Sequence, residues 1–206
     1  MNDLAGFPAR AFTKADPAPD ALFYAYPRLV AHIDDAAIAT VTQLYRDTLP
    51  PGGAILDLMS SWISHLPPEM DFDHVTGHGM NADELAANPR LDDWFVQDFN
   101  DDPGLPLPTD SLDGACLCVS VQYLQQPVSV FRELARALRP GAPLIVTFSN
   151  RCFPSKAVAI WQAMDGAAQQ QMVSVCLSRA GFTEIETGEV LPSRGDPIWA
   201  LIGRTG

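Results

Sequence analysis

The 206 residues suffice for one domain that buries its own core without disulfides or a structural metal. A hydrophobic fraction of 47% with 18% charged residues is that of a globular chain and excludes disorder as the dominant state. The net charge of -12, from 25 acidic and 13 basic residues, opposes binding to nucleic acid or to an anionic membrane surface, and no Lys or Arg cluster overrides it locally.

Residues 1–20, with Pro8, Pro17 and Pro19 among small and acidic residues, are expected to form a flexible arm ahead of a single domain over 21–206. Within it, residues 21–50 make a cap and a first helix. Asp34 and Asp35 can cap that helix, Ile38, Val41, Leu44, Tyr45 and Leu49 recur at helical spacing, and Pro50 to Gly53 stop it. Ala54 to Leu58 is a short apolar run, as in a strand buried on both faces. A second strand ends around Val75 and Thr76. Asn81 followed by Glu84 is a capping pattern for a helix from Ala82 to Asn88, closed by Pro89. Trp94 to Gln97 and the apolar run from Ser111 to Ser120 are the next strands. Val128, Phe131, Leu134, Ala135 and Leu138 stripe a helix that Arg139, Pro140 and Gly141 end, and Leu144 to Phe148 is a fifth strand. A helix carrying Met172, Val173, Cys176, Leu177 and Ala180 stops at Gly181. Phe182 to Thr187 and Ile198 to Gly203 have no helical pattern between them, so they can pair only as an antiparallel hairpin. The fold class is therefore α/β, a doubly wound, mostly parallel seven-stranded sheet with a C-terminal antiparallel hairpin.

Cys116, Cys118, Cys152 and Cys176 lack metal-ligand spacing and the density of a secreted disulfide scaffold, which fits reduced cysteines in the cytoplasm. No window reaches the ~18 apolar residues of a membrane span. His74 and His78 stand four apart, but no acid or thiol pair completes a metal site, so no metal is expected.

An Asp closing the first strand, five alternating units and a terminal hairpin resemble the class I S-adenosylmethionine-dependent methyltransferases. The most specific match is Leu105 to Asp113, followed by a strand and a helix ending in Leu138, Arg139, Pro140, Gly141, which is similar to the type 11 group. The resemblance implies a Rossmann-like fold, S-adenosylmethionine as cofactor, and methyl transfer to a small-molecule acceptor. The alternative is a catalytically inactive binding or scaffold protein on the same fold.

In such folds the ligand lies outside the carboxyl ends of the strands, where strand order reverses. The resemblance then assigns cofactor contacts to Asp57, Met59, Ser60, Ser61 and Trp62 after strand one, and to Gly79, Met80 and Asn81 after strand two. Asp98 and Phe99 follow strand three, and Ser120 and Gln122 follow strand four. Two departures from the family pattern stand beside these matches. The loop from Met59 to Trp62 has no glycine for close approach and positive φ, and Gly79 stands where the family carries the acid that holds the ribose. The aromatic and basic stretch from Phe23 to His32 can cover the site: Tyr26 or His32 would serve as a base, and Arg28 would contact substrate, as would Asn150 and Arg151 after strand five. Bland readings compete throughout. Asp57 could only close a strand, Trp62 could be core, Asn81 could only cap, and Arg151 could bridge a structural acid.

Overall fold

The computed structural model describes residues 3–192 and 194–206. Residues 3–19 run as turns into α1 (Asp20–Phe23). The Asp34 carboxylate accepts the Ala37 N–H and caps α2 (Asp35–Thr48), which stops before Pro50. The chain continues through β1 (Ala54–Leu58), β2 (His74–Gly79), α3 (Ala82–Ala86), β3 (Asp93–Val96) and β4 (Gly114–Cys118). After a 3-10 turn at Val121–Tyr123, α4 (Pro127–Ala137) begins on a proline, where the missing N–H costs nothing. β5 (Pro143–Phe148) and α5 (Ala159–Gln162) precede α6 (Gly166–Ala180), which Asp165 caps and a left-handed Gly181 ends. β6 (Glu184–Val190) and β7 (Ile198–Arg204) close the chain.

The seven strands form one sheet in the order β3-β2-β1-β4-β5-β7-β6. The first five pair in parallel; β7 runs antiparallel between β5 and β6. Alternation along β1 divides the core. Leu56 and Leu58 join Phe131 and Leu134 of α4 and Val173 and Leu177 of α6, while Ile55 joins Val41 and Tyr45 of α2 on the other face. Strand order reverses between β1 and β4, which opens a crevice at their carboxyl ends.

Three features differ from the sequence expectations. β2 runs on to Gly79 rather than ending near Thr76, because Gly77 and Gly79 serve close approach rather than a turn. A Cβ on Gly77 would lie 2.3 Å from the Leu91 methyl. Second, the expected alternation of strand and helix is incomplete: residues 59–73 between β1 and β2 and residues 97–113 between β3 and β4 contain no helix. Third, the arm expected over residues 1–20, whose first two residues lie outside the described ones, is packed down rather than free. Phe12 is buried in the core, Lys14 makes an antiparallel bridge to Val158, and Arg132 pairs with Asp3 at 2.9 Å. Among the described residues, no helix is long and apolar enough to cross a membrane.

Candidate functional site

A cavity of about 290 Å³ opens at the carboxyl ends of β1, β2, β3 and β4, roofed by part of the segment from Asp20 to Ile33. The β1 side is built by the loop that replaces a helix. Met59 takes a left-handed conformation, φ 54°, at the position where a glycine would be unstrained. Its N–H donates to His78 Nδ1 at 3.1 Å, and the Ser60 N–H donates to the His78 carbonyl at 2.6 Å. The first amides of the loop are therefore turned to β2 and away from the cavity. Side chains hold the rest. The Ser60 hydroxyl donates to Asp57 at 2.6 Å, the Ser64 hydroxyl donates to the same carboxylate oxygen, and the Asn88 amide donates to the Ser61 carbonyl at 2.9 Å and to the Ser64 hydroxyl at 3.0 Å. Burial pushes the Asp57 carboxyl above the usual carboxylate range, against the pull of the two serines and the Cys116 thiol. Asp57 thus organises the loop, and Ser60 and Ser61 line the cavity as the loop's surface.

On the β2 side, His78 is a buried spacer. Accepting from Met59 at Nδ1 leaves its proton on Nε2, which donates to the Gln97 carbonyl at 2.9 Å, and the ring lies against Phe99 at 4.0 Å. Burial lowers its pKa to about 4, against that hydrogen bond, so the ring is neutral. His74 stands apart at the exposed start of β2, beside Asp92 and Asp93. Gly79 has no room for a side chain: a Cβ would lie 2.7 Å from the Ser60 carbonyl oxygen. Asn81 is fully occupied, since its Oδ1 accepts the Asp83 and Glu84 N–H groups and its Nδ2 donates to the Tyr24 carbonyl at 2.9 Å. It caps α3 and ties the roof, with nothing left for a ligand. Met80 and Phe99 line the cavity with Asp98, whose Oδ1 accepts the Asn100 N–H at 2.9 Å. Burial raises the Asp98 pKa above the ordinary value, with the Asn100 amide opposing.

After β4, Val119 adopts φ 49°, a conformation that a β-branched residue takes only under strain. This bend turns the Ser120 side chain to the cavity, where its hydroxyl is buried without a partner among the described residues. Val119→Gly is expected to melt at the same or a slightly higher temperature, because relieved strain of about 1–3 kcal/mol offsets lost packing and added chain entropy. A melting temperature lowered by more than a few degrees would show that the position is unstrained. Gln122 is fully buried beneath the cavity rather than lining it; its amide donates to the Val119 carbonyl at 2.9 Å and supports the bend.

The roof gathers aromatic rings. Phe153, after β5, meets Phe23 at 5.2 Å and His32 at 5.3 Å, and the Arg28 guanidinium stands 4.5 Å from the Phe23 centroid. Arg28 and His32 line the cavity, and burial depresses the His32 pKa. Tyr26 does not line it: the side chain points to solvent and is 81% exposed, so it is not placed to act as a base. Trp62 is also outside the lining. Its indole N–H donates to the Val30 carbonyl at 3.1 Å and clasps the roof, so it is neither core nor a direct ligand contact. Arg151 reaches the rim but pairs with buried Asp196 at 2.7 Å, and Asn150 is exposed beside Ser149.

Among the lining residues that sequence reasoning missed are Glu84, His65, Asn100 and Phe153. Glu84 was hidden by its fit to a capping pattern, and the others lie in segments with no periodic signal. Asn100 has a readable role only in three dimensions, where its side chain joins Asp20, Tyr123 and Gln125.

Residues 58–146 match the family model described as a methyltransferase domain. No curated protein matches the sequence. Among solved structures, the chain is similar to the [4+2]-cyclase SpnF at 16% identity and TM-score 0.62, over 90% of this chain and 91% of that one. An S-adenosylmethionine-dependent methyltransferase from Mesorhizobium loti has 19% identity and TM-score 0.56, over 79% of this chain and 96% of that one. A possible histamine N-methyltransferase from Thermotoga maritima has 16% identity and TM-score 0.58, over 82% and 89%. The domain match covers less than half of the chain, and with the strand order and antiparallel ending it gives the chain the Rossmann-like fold of these methyltransferase structures.

Proposed function

We propose that the chain transfers a methyl group from S-adenosylmethionine to a small-molecule acceptor. The observation that carries this reading is the wall after β3 and β4: among the described residues, one carboxylate oxygen of Asp98 and the Ser120 hydroxyl have no hydrogen-bond partner, and both stand with Phe99 and Met80 on the cavity lining. Apolar faces with one acid acceptor and one free hydroxyl suit a nucleoside. The β1 loop suits the cofactor's amino-acid end less directly, since the Met59 and Ser60 amides are spent on His78. The Ser60 side chain and the roof have to hold that end.

When bound, the cofactor supplies an electrophilic methyl group for in-line displacement, a reaction governed by positioning and desolvation. The chain's part is to aim the acceptor and keep water out, and the roof of Tyr24, Arg28, His32 and Phe153 serves both ends. Arg28 makes no ion pair among the described residues, so its guanidinium is available to an acidic group on the acceptor. His32, held neutral by burial, takes a proton from a hydroxyl, thiol or ammonium acceptor. Because one of the similar structures is a [4+2]-cyclase, fold alone does not decide the chemistry and transfer itself has to be detected. Incubation with methyl-labelled S-adenosylmethionine and a metabolite extract freed of macromolecules should place label in a small molecule. Label recovered only in macromolecules added separately, or no transfer above a heat-denatured control, would contradict the proposal.

A further inference from the structure

The first turn of α3 holds a carboxylate that the helix does not use. A glutamate three residues after a cap ordinarily reaches back to the cap's own N–H. Glu84 reaches the other way: one oxygen accepts the Arg28 N–H at 2.6 Å and the other accepts the Ser61 hydroxyl at 2.5 Å. It is only 8% exposed, it lines the cavity, and among the described residues no ion pair includes it. Burying an unpaired carboxylate is costly, and the two hydrogen bonds by which it ties the roof and the β1 loop to α3 offset only part of that cost. With about four acceptor positions and two donors, the group keeps capacity for a ligand.

Gly79 shows why the carboxylate stands there. At that strand end a Cβ would lie 2.7 Å from the Ser60 oxygen and 3.1 Å from a Leu85 methyl, so the β1 loop occupies the space a side chain of β2 would need. The same loop lays the Ser61 hydroxyl on Glu84, as a neutral hydroxyl donor built into the chain. We propose that Glu84 binds the ribose of the cofactor, accepting hydrogen bonds from its vicinal hydroxyls in the place of the Ser61 hydroxyl. This rests on the cofactor reading above and makes Glu84 a binding residue absent from the family's usual strand position.

Calorimetric titration of the full chain with S-adenosylhomocysteine and with its 2′-deoxy analogue tests it. Wild type should bind the ribose form about tenfold or more tightly, and Glu84→Gln, checked as folded by circular dichroism, should lose most of that preference. Ser61→Ala, which removes the internal competitor, should tighten the ribose form several-fold and the deoxy form less. Equal binding of both ligands by wild type, undiminished discrimination by Glu84→Gln, or an equal or absent gain in Ser61→Ala overturns the proposal. If wild type binds neither ligand, the cofactor reading falls and this assignment falls with it.

Discussion

Lys156→Met should lower the unfolding free energy by about 3–5 kcal/mol, the usual cost of removing one member of a buried ionic group. The chain contains only two lysines, and both meet at one acid. Lys156 has no exposed side-chain surface; its ammonium lies 2.9 Å from Asp16, 3.2 Å from Asp20 and 2.8 Å from the Ala18 carbonyl, while Lys14 pairs with the other oxygen of Asp20. The Asn100 amide donates to that same oxygen at 3.0 Å. Removing Lys156 leaves Asp20 buried with half its cationic partners and frees the segment that feeds the cavity roof. The joint replacement Lys14→Met, Asp20→Leu and Lys156→Met should recover most of the loss, because the one carboxylate then left without its lysine, Asp16, has 38% of its side chain exposed to water. Urea unfolding measures both. Equal stability of Lys156→Met and wild type would show that the network does not hold the arm.

A second large effect is expected from pH. The folded His78 titrates near 4 while the unfolded imidazole titrates near 6.5, because burial opposes its charged form. Between these values the unfolded state binds the extra proton, so stability rises with pH across this window. His78 therefore contributes about 3 kcal/mol of stability that is complete above pH 6.5 and lost as pH falls to about 4. The depressed pKa values of His32 and His65 act in the same direction. A His78→Asn chain, measured by urea unfolding at a series of pH values, should be less stable at pH 7 but show a flatter fall below 6.5. A slope unchanged from wild type would show that His78 takes up its proton in the folded state.

The antiparallel ending was legible because residues 188–197 carry no helical repeat, so the last two strands had one way to meet. The departure at the β1 loop was legible as well, but its path was not. Nothing local says that Met59 will adopt φ 54° or that His78 will take its amide, since both depend on β2 lying alongside β1. Glycines misled at β2, where Gly77 and Gly79 suggest a turn and instead admit Leu91 and the Ser60 carbonyl. Glu84 misled for the opposite reason: its spacing from Asn81 satisfied a local rule, and its contacts to Arg28 and Ser61 cross 56 and 23 positions of sequence. The docked arm rests on pairs just as distant, such as Lys156 with Asp20.

The proposed function makes the cavity a nucleoside-cofactor site with a rebuilt β1 loop. Isothermal calorimetry of the full chain with S-adenosylhomocysteine tests it most directly. One-to-one binding at micromolar concentration, weakened by Asp98→Ala, is the expected result; no heat of binding at millimolar ligand would contradict it.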